Sequence, residues 1–101
     1  MTRTLFPQDR SMILAANKWR MRVTPNPARD QLRVITHLPM TEIMGHIVLY
    51  NAHGIELERT RIHSGPEISD LDVSKYAPGL YRIALFGRYE LLDGQSISIV
   101  R

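Results

Sequence analysis

The fold class is decided by Gly79–Phe86, which reads GLYRIALF. Tyr81, Ile83 and Leu85 occupy every second position of this stretch, and Arg82 lies between two of them. Apolar residues at alternate positions place their side chains on one face of an extended chain, which predicts a half-buried β-strand.

Similar short apolar runs surround this stretch and are separated by turn residues throughout positions 21–101. Neither a helix-and-strand alternation nor an internal repeat is visible. This spacing predicts an all-β fold, an Ig-like antiparallel β-sandwich of about seven strands. The predicted strands cover positions 21–24, 31–36, 46–50, 55–62, 68–73, 79–86 and 95–101.

The fourth predicted strand changes the face on which its apolar residues lie. Ile55 and Leu57 are expected to face the core, whereas the next apolar residue, Ile62, has the opposite parity. One additional residue in a strand shifts the alternation by one position. We therefore predict a β-bulge near Arg59 or Thr60.

Positions 1–20 differ from the rest and are predicted to be a separate segment, either a leader, a linker or an addition for expression. The domain itself is predicted over positions 21–101. Positions 11–19 could form a helix or a strand. Their apolar run, positions 12–16, is shorter than the roughly 7–15 residues of a secretory signal core, so no cleavable export signal is visible.

The net charge of +3 is unevenly distributed. Positions 1–22 hold five Lys/Arg and one Asp, a net +4, whereas positions 23–101 hold eight Lys/Arg and nine Asp/Glu, a net −1. A nucleic-acid-binding domain would carry its basic residues on the folded face, so no nucleic-acid partner is predicted. No apolar run approaches the ~20 residues of a membrane span, so stable membrane insertion is not expected either.

The residue inventory predicts no enzyme, no cofactor site and no metal site. Cysteine is absent, and the four histidines are not arranged in any metal-binding spacing. No serine lies in a GxSxG turn. Three acidic residues, Glu67, Asp70 and Asp72, are close in sequence but do not match a calcium loop, and a solvated strand face explains them better.

Three short motifs are predicted to fix the turns of the domain. Two prolines separated by one residue form a stiff corner, because each fixes φ near −65° and lacks an N–H. A glycine supplies the positive φ of a hairpin turn, and a Pro-Gly pair forms the corner that leads into the 79–86 strand. The predicted framework residues are Pro25, Asn26, Pro27, Asp30, Asn51, Gly54, Pro78, Gly79 and Tyr81.

These motifs, in this order, resemble the C-terminal sorting domain of the type IX secretion system (the Por secretion tail) of Bacteroidetes. The resemblance spans about positions 21–101. Four segments carry it: VTPNPARDQL at 23–32, IVLYNAHG at 47–54, LDVSKYAPGLY at 71–81, and SIVR at the end of the chain.

The resemblance implies a non-enzymatic signal fused to a cargo protein. The cargo would cross the periplasm, pass the type IX translocon, and reach the outer membrane, the cell surface or the medium. A surface sortase would then remove the domain, with the cut expected in positions 1–20 or just before them. The resemblance also implies that the last strand is the element that the translocon recognises, at Ile97, Ser98, Ile99, Val100 and Arg101.

Two further expectations stay open. The alternative function is an Ig-like adhesion or carbohydrate-binding module, which would display an aromatic platform drawn from Tyr50, Tyr76, Tyr81 and Tyr89, although Tyr81 is expected to be buried. An exposed sheet edge could also pair with a second copy of the chain to form a homodimer.

Overall fold

A computed structural model of the chain describes residues 20–101. The predicted 1–20 segment, and the helix or strand considered for positions 11–19, therefore lie outside the described residues except for Arg20. All regular elements of the described part are β-strands, so the all-β prediction is confirmed. The seven strands are β1 (Met21–Thr24), β2 (Gln31–Leu38), β3 (Met44–Tyr50), β4 (Glu56–His63), β5 (Gly65–Asp72), β6 (Gly79–Phe86) and β7 (Leu91–Ile99).

The strands form two antiparallel sheets packed as a sandwich, as predicted. One sheet has three strands in the order β1-β2-β5, and the other has four in the order β4-β3-β6-β7. The chain crosses between the sheets after β2, after β4 and again after β5. A core filled from the inner faces of both sheets follows from this arrangement.

Strand alternation produces that core directly. Ile83 and Leu85 of β6 are fully buried, and so are Leu32 and Val34 of β2 on the facing sheet. Burying each such side chain contributes about 1.5–3 kcal/mol. In the last strand, Ile97 faces the same core, so β7 is part of the structural framework of the domain.

The parity change in β4 comes from a β-bulge, as predicted, but at a different position. The register slips where Leu49 faces Glu58 and Tyr50 faces Glu56, which leaves Leu57 as the additional residue. The bulge therefore lies at Leu57, not near Arg59 or Thr60. Ile55, expected in the core, is 60% exposed because it lies in the turn before β4 begins.

Candidate recognition surface at the carboxyl-terminal strand

The motif segments meet at one end of the sandwich, although they are far apart in sequence. Thr24 of β1 pairs with Arg33, and Gln31 of β2 pairs with Asp72 of β5, so the first corner and the loop after β5 lie side by side. Gly79 of β6 pairs with Ile99, which brings the last residues to the same place. We call this the motif end. It consists of positions 25–30, 51–54, 73–78 and 100–101.

The proline corner runs along the last strand and hydrogen-bonds to it. Both X-Pro peptide bonds of the corner, Thr24-Pro25 and Asn26-Pro27, are cis. The Ala28 N–H donates to the carbonyl of Ser98 at 2.8 Å, and the Val100 N–H donates to the carbonyl of Ala28 at 2.8 Å. These two bonds form a short parallel bridge that covers the free edge of β7 near its end.

Asn26 strengthens the same contact with its side chain. Its Nδ2 donates to the carbonyl of Ser96 at 3.2 Å, and its Oδ1 accepts the N–H of Ser98 at 3.0 Å. An amide that donates and accepts in this way imitates one rung of a β-ladder. The asparagine between the prolines is thus the side chain that connects the first corner to the last strand.

Arg101 ties three of the motif segments together. One Nη donates to the carbonyls of Val73 at 3.1 Å, Ser74 at 2.9 Å and Tyr76 at 2.5 Å. The other Nη donates to the carbonyl of Arg29, in the proline corner, and to that of Val100 at 3.0 Å. A planar guanidinium with five N–H donors can satisfy carbonyls spread over this distance, which a compact ammonium group cannot.

The loop after β5 is held in place by its own polar groups. Asp72 accepts hydrogen bonds from the Ser74 hydroxyl at 2.6 Å and from the Ser74 N–H at 3.0 Å. The hydroxyl bond, followed by the N–H bond, lowers the pKa of the Asp72 carboxyl below its usual value. The Val73 N–H donates to the carbonyl of Asp30 at 2.9 Å, so the loop is also anchored to the proline corner.

Two tyrosines brace the start of β6. The Tyr81 hydroxyl donates to the carbonyl of Ala77, four residues upstream, at 2.5 Å. A tyrosine at the start of this strand that bonds back to the preceding corner is the tyrosine corner of Ig-like sandwiches. The Tyr76 ring packs 6.0 Å from that of Tyr81, and its hydroxyl donates to Glu58 at 2.6 Å. Burial, together with this bond to a carboxylate, raises the pKa of Tyr76 to about 12.

The hairpin between β3 and β4 has the geometry expected of its motif. The Asn51 Oδ1 accepts the N–H of His53 at 2.9 Å and that of Ile55 at 3.0 Å. Gly54 adopts a φ of 81°, a left-handed conformation that glycine tolerates best. Asn51 and Gly54 therefore shape the turn itself.

A family comparison explains why these segments occur together. The profile described as "Secretion system C-terminal sorting domain" matches residues 22–90. The chain belongs to this family, the C-terminal sorting domains of the type IX secretion system. The protein therefore carries a C-terminal sorting signal for type IX secretion, which directs export toward the cell surface or the extracellular space. No curated protein and no solved structure gave a significant match.

The match covers the proline corner, the hairpin and the tyrosine corner of the sorting domain, and it ends at Glu90, before β7. The last strand is thus placed in the sorting domain by its hydrogen bonds and its core contacts. Within it, Ile97 and Ile99 are 1% exposed and belong to the core. Of the five predicted recognition residues, Ser98, Val100 and Arg101 are thus the ones whose side chains a partner could reach.

The tyrosines of the sorting domain do not assemble a flat platform among the described residues. Tyr76 and Tyr81 pack on each other and on the core, and Tyr50 is half-buried. Tyr81 is half-buried rather than fully buried as expected. Tyr89 is 84% exposed, but it lies at the other end of the sandwich, where Arg88 stacks 5.1 Å from its ring.

Two arginines form ion pairs with carboxylates, one within a strand and one between two strands. Arg59 bonds to Glu56 at 2.8 Å, and Arg33 bonds to Asp70 at 2.9 Å. In each pair the arginine lowers the pKa of the carboxyl, chiefly through the hydrogen bond. Both pairs are exposed, and pairs of this kind stabilise a fold only weakly.

Over positions 20–101, no three histidine, cysteine or acidic side chains lie close enough together to hold a metal ion. That part of the chain also contains no helix of the length and apolarity needed to cross a membrane.

Proposed function

We propose that the sorting domain is a non-enzymatic signal read by the type IX translocon at its motif end, with the terminal strand as the main contact. The observation that carries the proposal is the position of Arg101. Its guanidinium bonds to the proline corner and to the loop after β5, so the last residue and two family motifs form one surface.

In this proposal the recognition residues have unequal roles. Ile97 and Ile99 hold the strand in the core, while Ser98, Val100 and Arg101 lie where a partner can reach them. The framework residues act indirectly, because they fix the backbone that the partner meets. A partner would therefore recognise the assembled end rather than a linear peptide.

We further propose that the domain follows a cargo protein, crosses the periplasm with it, and is removed at the surface by a sortase. Arg20 lies at the end of the sandwich opposite the last residue, since its carbonyl accepts the N–H of His37 at 2.7 Å near the far end of β2. A cargo attached before Arg20 would thus leave the motif end free. Cleavage within positions 1–20 would leave all seven described strands on the released domain.

A homodimer through a sheet edge stays a prediction. The free edge of β7 is covered by Ala28, whereas β4 is an outer strand of its sheet. Its outward-facing Arg59 and Arg61 are the kind of charged residues that discourage edge pairing. Light-scattering chromatography at low micromolar concentration decides between the predicted dimer and the monomer that these two features favour.

The decisive experiment is an export assay in a type IX-competent host. A reporter with a signal peptide is fused to the full chain, and surface reporter is measured for the wild type, Arg101→Ala and Arg29→Ala. Arg29 is the matched control, because its exposed side chain leaves its carbonyl free to accept from Arg101. We expect Arg101→Ala to reduce surface reporter by about tenfold and Arg29→Ala to leave it near the wild-type level.

Deleting positions 96–101 would also remove two core isoleucines, so that variant tests folding as much as recognition. Val100→Asp provides a second test, because the residue is half-buried at the surface and its backbone bond to Ala28 is retained. Equal export of the wild type, Arg101→Ala and Val100→Asp, all folded by circular dichroism, would refute the proposed recognition surface.

A further inference from the structure

The distal end of the sandwich, formed by positions 39–43 and 87–90, carries most of the exposed large apolar side chains of the domain. Among residues 20–101, eight such side chains are exposed, and five of them lie in these two loops or directly next to them. We call these five the distal patch: Met40, Ile43, Met44, Tyr89 and Leu91. A concentration of apolar surface at one end of a small domain marks a place where another segment binds.

The two distal loops share an open cavity of about 350 Å³. Ile43 and Met44 supply apolar side chains to its lining, together with Gly87 and Arg88 of the other loop. Glu42 joins the loops, because its carboxylate accepts the Arg88 N–H at 2.8 Å. The cavity therefore lies between both loops and has room for an apolar side chain from another segment.

The described part of the chain begins at this same end. The Arg20 carbonyl accepts the N–H of His37 at 2.7 Å, and the Arg20 N–H donates to the Asp93 carboxylate at 3.4 Å. His37 lies two residues before the first distal loop, and Asp93 lies three residues after the second. Arg20 thus fixes the point to which positions 1–19 are attached, and that point is beside the distal patch.

The residues that precede Arg20 have the composition needed to cover this patch. Positions 12–19 read MILAANKW, and their four large apolar residues are Met12, Ile13, Leu14 and Trp19. Because three of these follow one another, at least one faces the sandwich even where alternate side chains of an extended chain point to opposite sides. Eight residues reach at most about 29 Å, and neighbouring strands lie about 4.8 Å apart, so the segment is long enough to cross the distal end.

The distal end and the preceding segment also carry opposite charges. Positions 39–43 and 87–93 hold three acidic residues and one arginine, a net −2, whereas positions 1–19 hold three Lys/Arg and one Asp, a net +2. The side chains of the motif end carry a net +2 in the same count, with histidine neutral. The summed charges therefore favour the distal end over the motif end as the place where the segment binds.

From the exposed apolar patch, the attachment at Arg20, the apolar run and the opposite charges, we infer that positions 12–19 dock on the distal patch of their own chain. Their apolar side chains cover Met40 and Ile43 and enter the cavity between the distal loops. A segment tethered this closely meets the patch at an effective concentration of about millimolar, which favours it over a free partner. One consequence rests on the proposed function: docking would shield the sortase cut expected in positions 1–20.

Trp19 makes the docking measurable, because it is the only tryptophan of the chain. Its fluorescence is recorded for the full chain in buffer and in a urea concentration that unfolds the domain. We expect the folded chain to show a blue-shifted emission maximum and weaker quenching by acrylamide than the unfolded chain. Both readouts should be independent of protein concentration, because the segment docks on its own chain.

Matched double variants separate the distal patch from general surface effects. Met40→Ser with Ile43→Ser changes two loop residues that are 80% and 70% exposed, whereas Ile68→Ser with Leu80→Ser changes two exposed residues outside the patch. We expect the first pair to move the Trp19 emission to the position seen in urea, with an unchanged thermal midpoint by circular dichroism. The control pair should match the wild type.

Limited proteolysis provides a second readout and a variant that leaves the sandwich untouched. Trypsin cleaves after Lys18, inside the proposed docked segment. Since cleavage follows the population of the undocked state, we expect it to be about fivefold faster in the distal double variant than in the wild type. Ile13→Ser with Leu14→Ser, which changes no residue of positions 20–101, should accelerate it to a similar extent.

The outcomes distinguish this inference from the proposed function. A folded wild type whose Trp19 emits as it does in urea overturns the docking, and so does a blue shift that the distal double variant retains. A blue shift that grows with protein concentration as a dimer forms also overturns it, because the occupant of the patch is then a second copy of the chain. Absence of wild-type export overturns the proposed function and the shielding of the cut, whereas the fluorescence still decides whether the segment docks.

Discussion

The two ends of the sandwich differ in how they are held together. At the motif end, side chains hydrogen-bond to backbone groups of segments about 70 residues away, as Asn26 does with Ser96 and Arg101 with Arg29. At the distal end, formed by positions 39–43 and 87–90, Met40 and Ile43 are largely exposed. Between these distal loops, Glu42 accepts the Arg88 N–H at 2.8 Å, and next to them Asp93 accepts the Arg20 N–H at 3.4 Å.

This difference shows which features of the domain depend on distant residues. The shape of the motif end requires the first corner, the loop after β5 and the last residue simultaneously. The distal loops depend on local turns and one carboxylate contact. A partner that binds the motif end, as proposed, would therefore sense whether the strands of positions 20–101 have folded together.

The largest expected effect comes from the residue that joins three segments. Arg101→Ala removes a charged donor from five backbone carbonyls, and we expect the free energy of unfolding to fall by about 2–3 kcal/mol. Urea denaturation measures the change. Arg29→Ala should lower the free energy of unfolding by less than about 0.5 kcal/mol, because a substitution at an exposed site rarely costs more.

Arg101→Lys keeps the positive charge of Arg101 but not the planar set of donors, so it separates the two contributions to stability. An ammonium group has three donors at one point and cannot span carbonyls from two segments, so it should restore less than half of the lost stability. Full restoration by lysine would mean that charge alone stabilises this end, and the hydrogen-bond account of Arg101 would be wrong.

A second effect of similar size depends on pH. The pKa of Tyr76 is raised to about 12, above the roughly 10 of an unfolded tyrosine. The stabilisation is therefore complete below about pH 10 and is lost as pH rises toward 12, by about 2 kcal/mol in total. The free energy of unfolding of the wild type should fall between about pH 10 and pH 12 relative to that of Tyr76→Phe, which has no phenol to ionise; parallel pH curves would contradict this account.

Much of the fold could be predicted from the sequence because strand alternation is a local signal. The predicted strand at positions 79–86 has the bounds that β6 shows. The bulge was misplaced because its position depends on the pairing of β4 with β3, which places the extra residue at Leu57. A register between two strands cannot be deduced from either strand alone.

The candidate site was predicted less completely. The motifs identify the residues of the motif end, but they do not show that Arg101 bonds to the proline corner, because that contact spans nearly the whole domain. The exposure of Leu80 was not predicted either. The signal that could have located it is its parity, which is opposite to that of Tyr81 and Ile83.

The smallest expected effects on stability come from one substitution at each end of the sandwich, which compares the two ends directly. Asn26→Ala removes two hydrogen bonds between the proline corner and β7, and we expect a loss of about 1–2 kcal/mol. Glu42→Ala removes the single carboxylate contact of the distal end, and we expect about 0.5–1 kcal/mol. Both changes are measured by urea denaturation, with Asn26→Asp, which keeps the acceptor and loses the donor, expected between the wild type and Asn26→Ala. If Glu42→Ala cost as much as Asn26→Ala, the distal end would be held as firmly as the motif end, and the stability of the domain would not be concentrated where its family motifs meet.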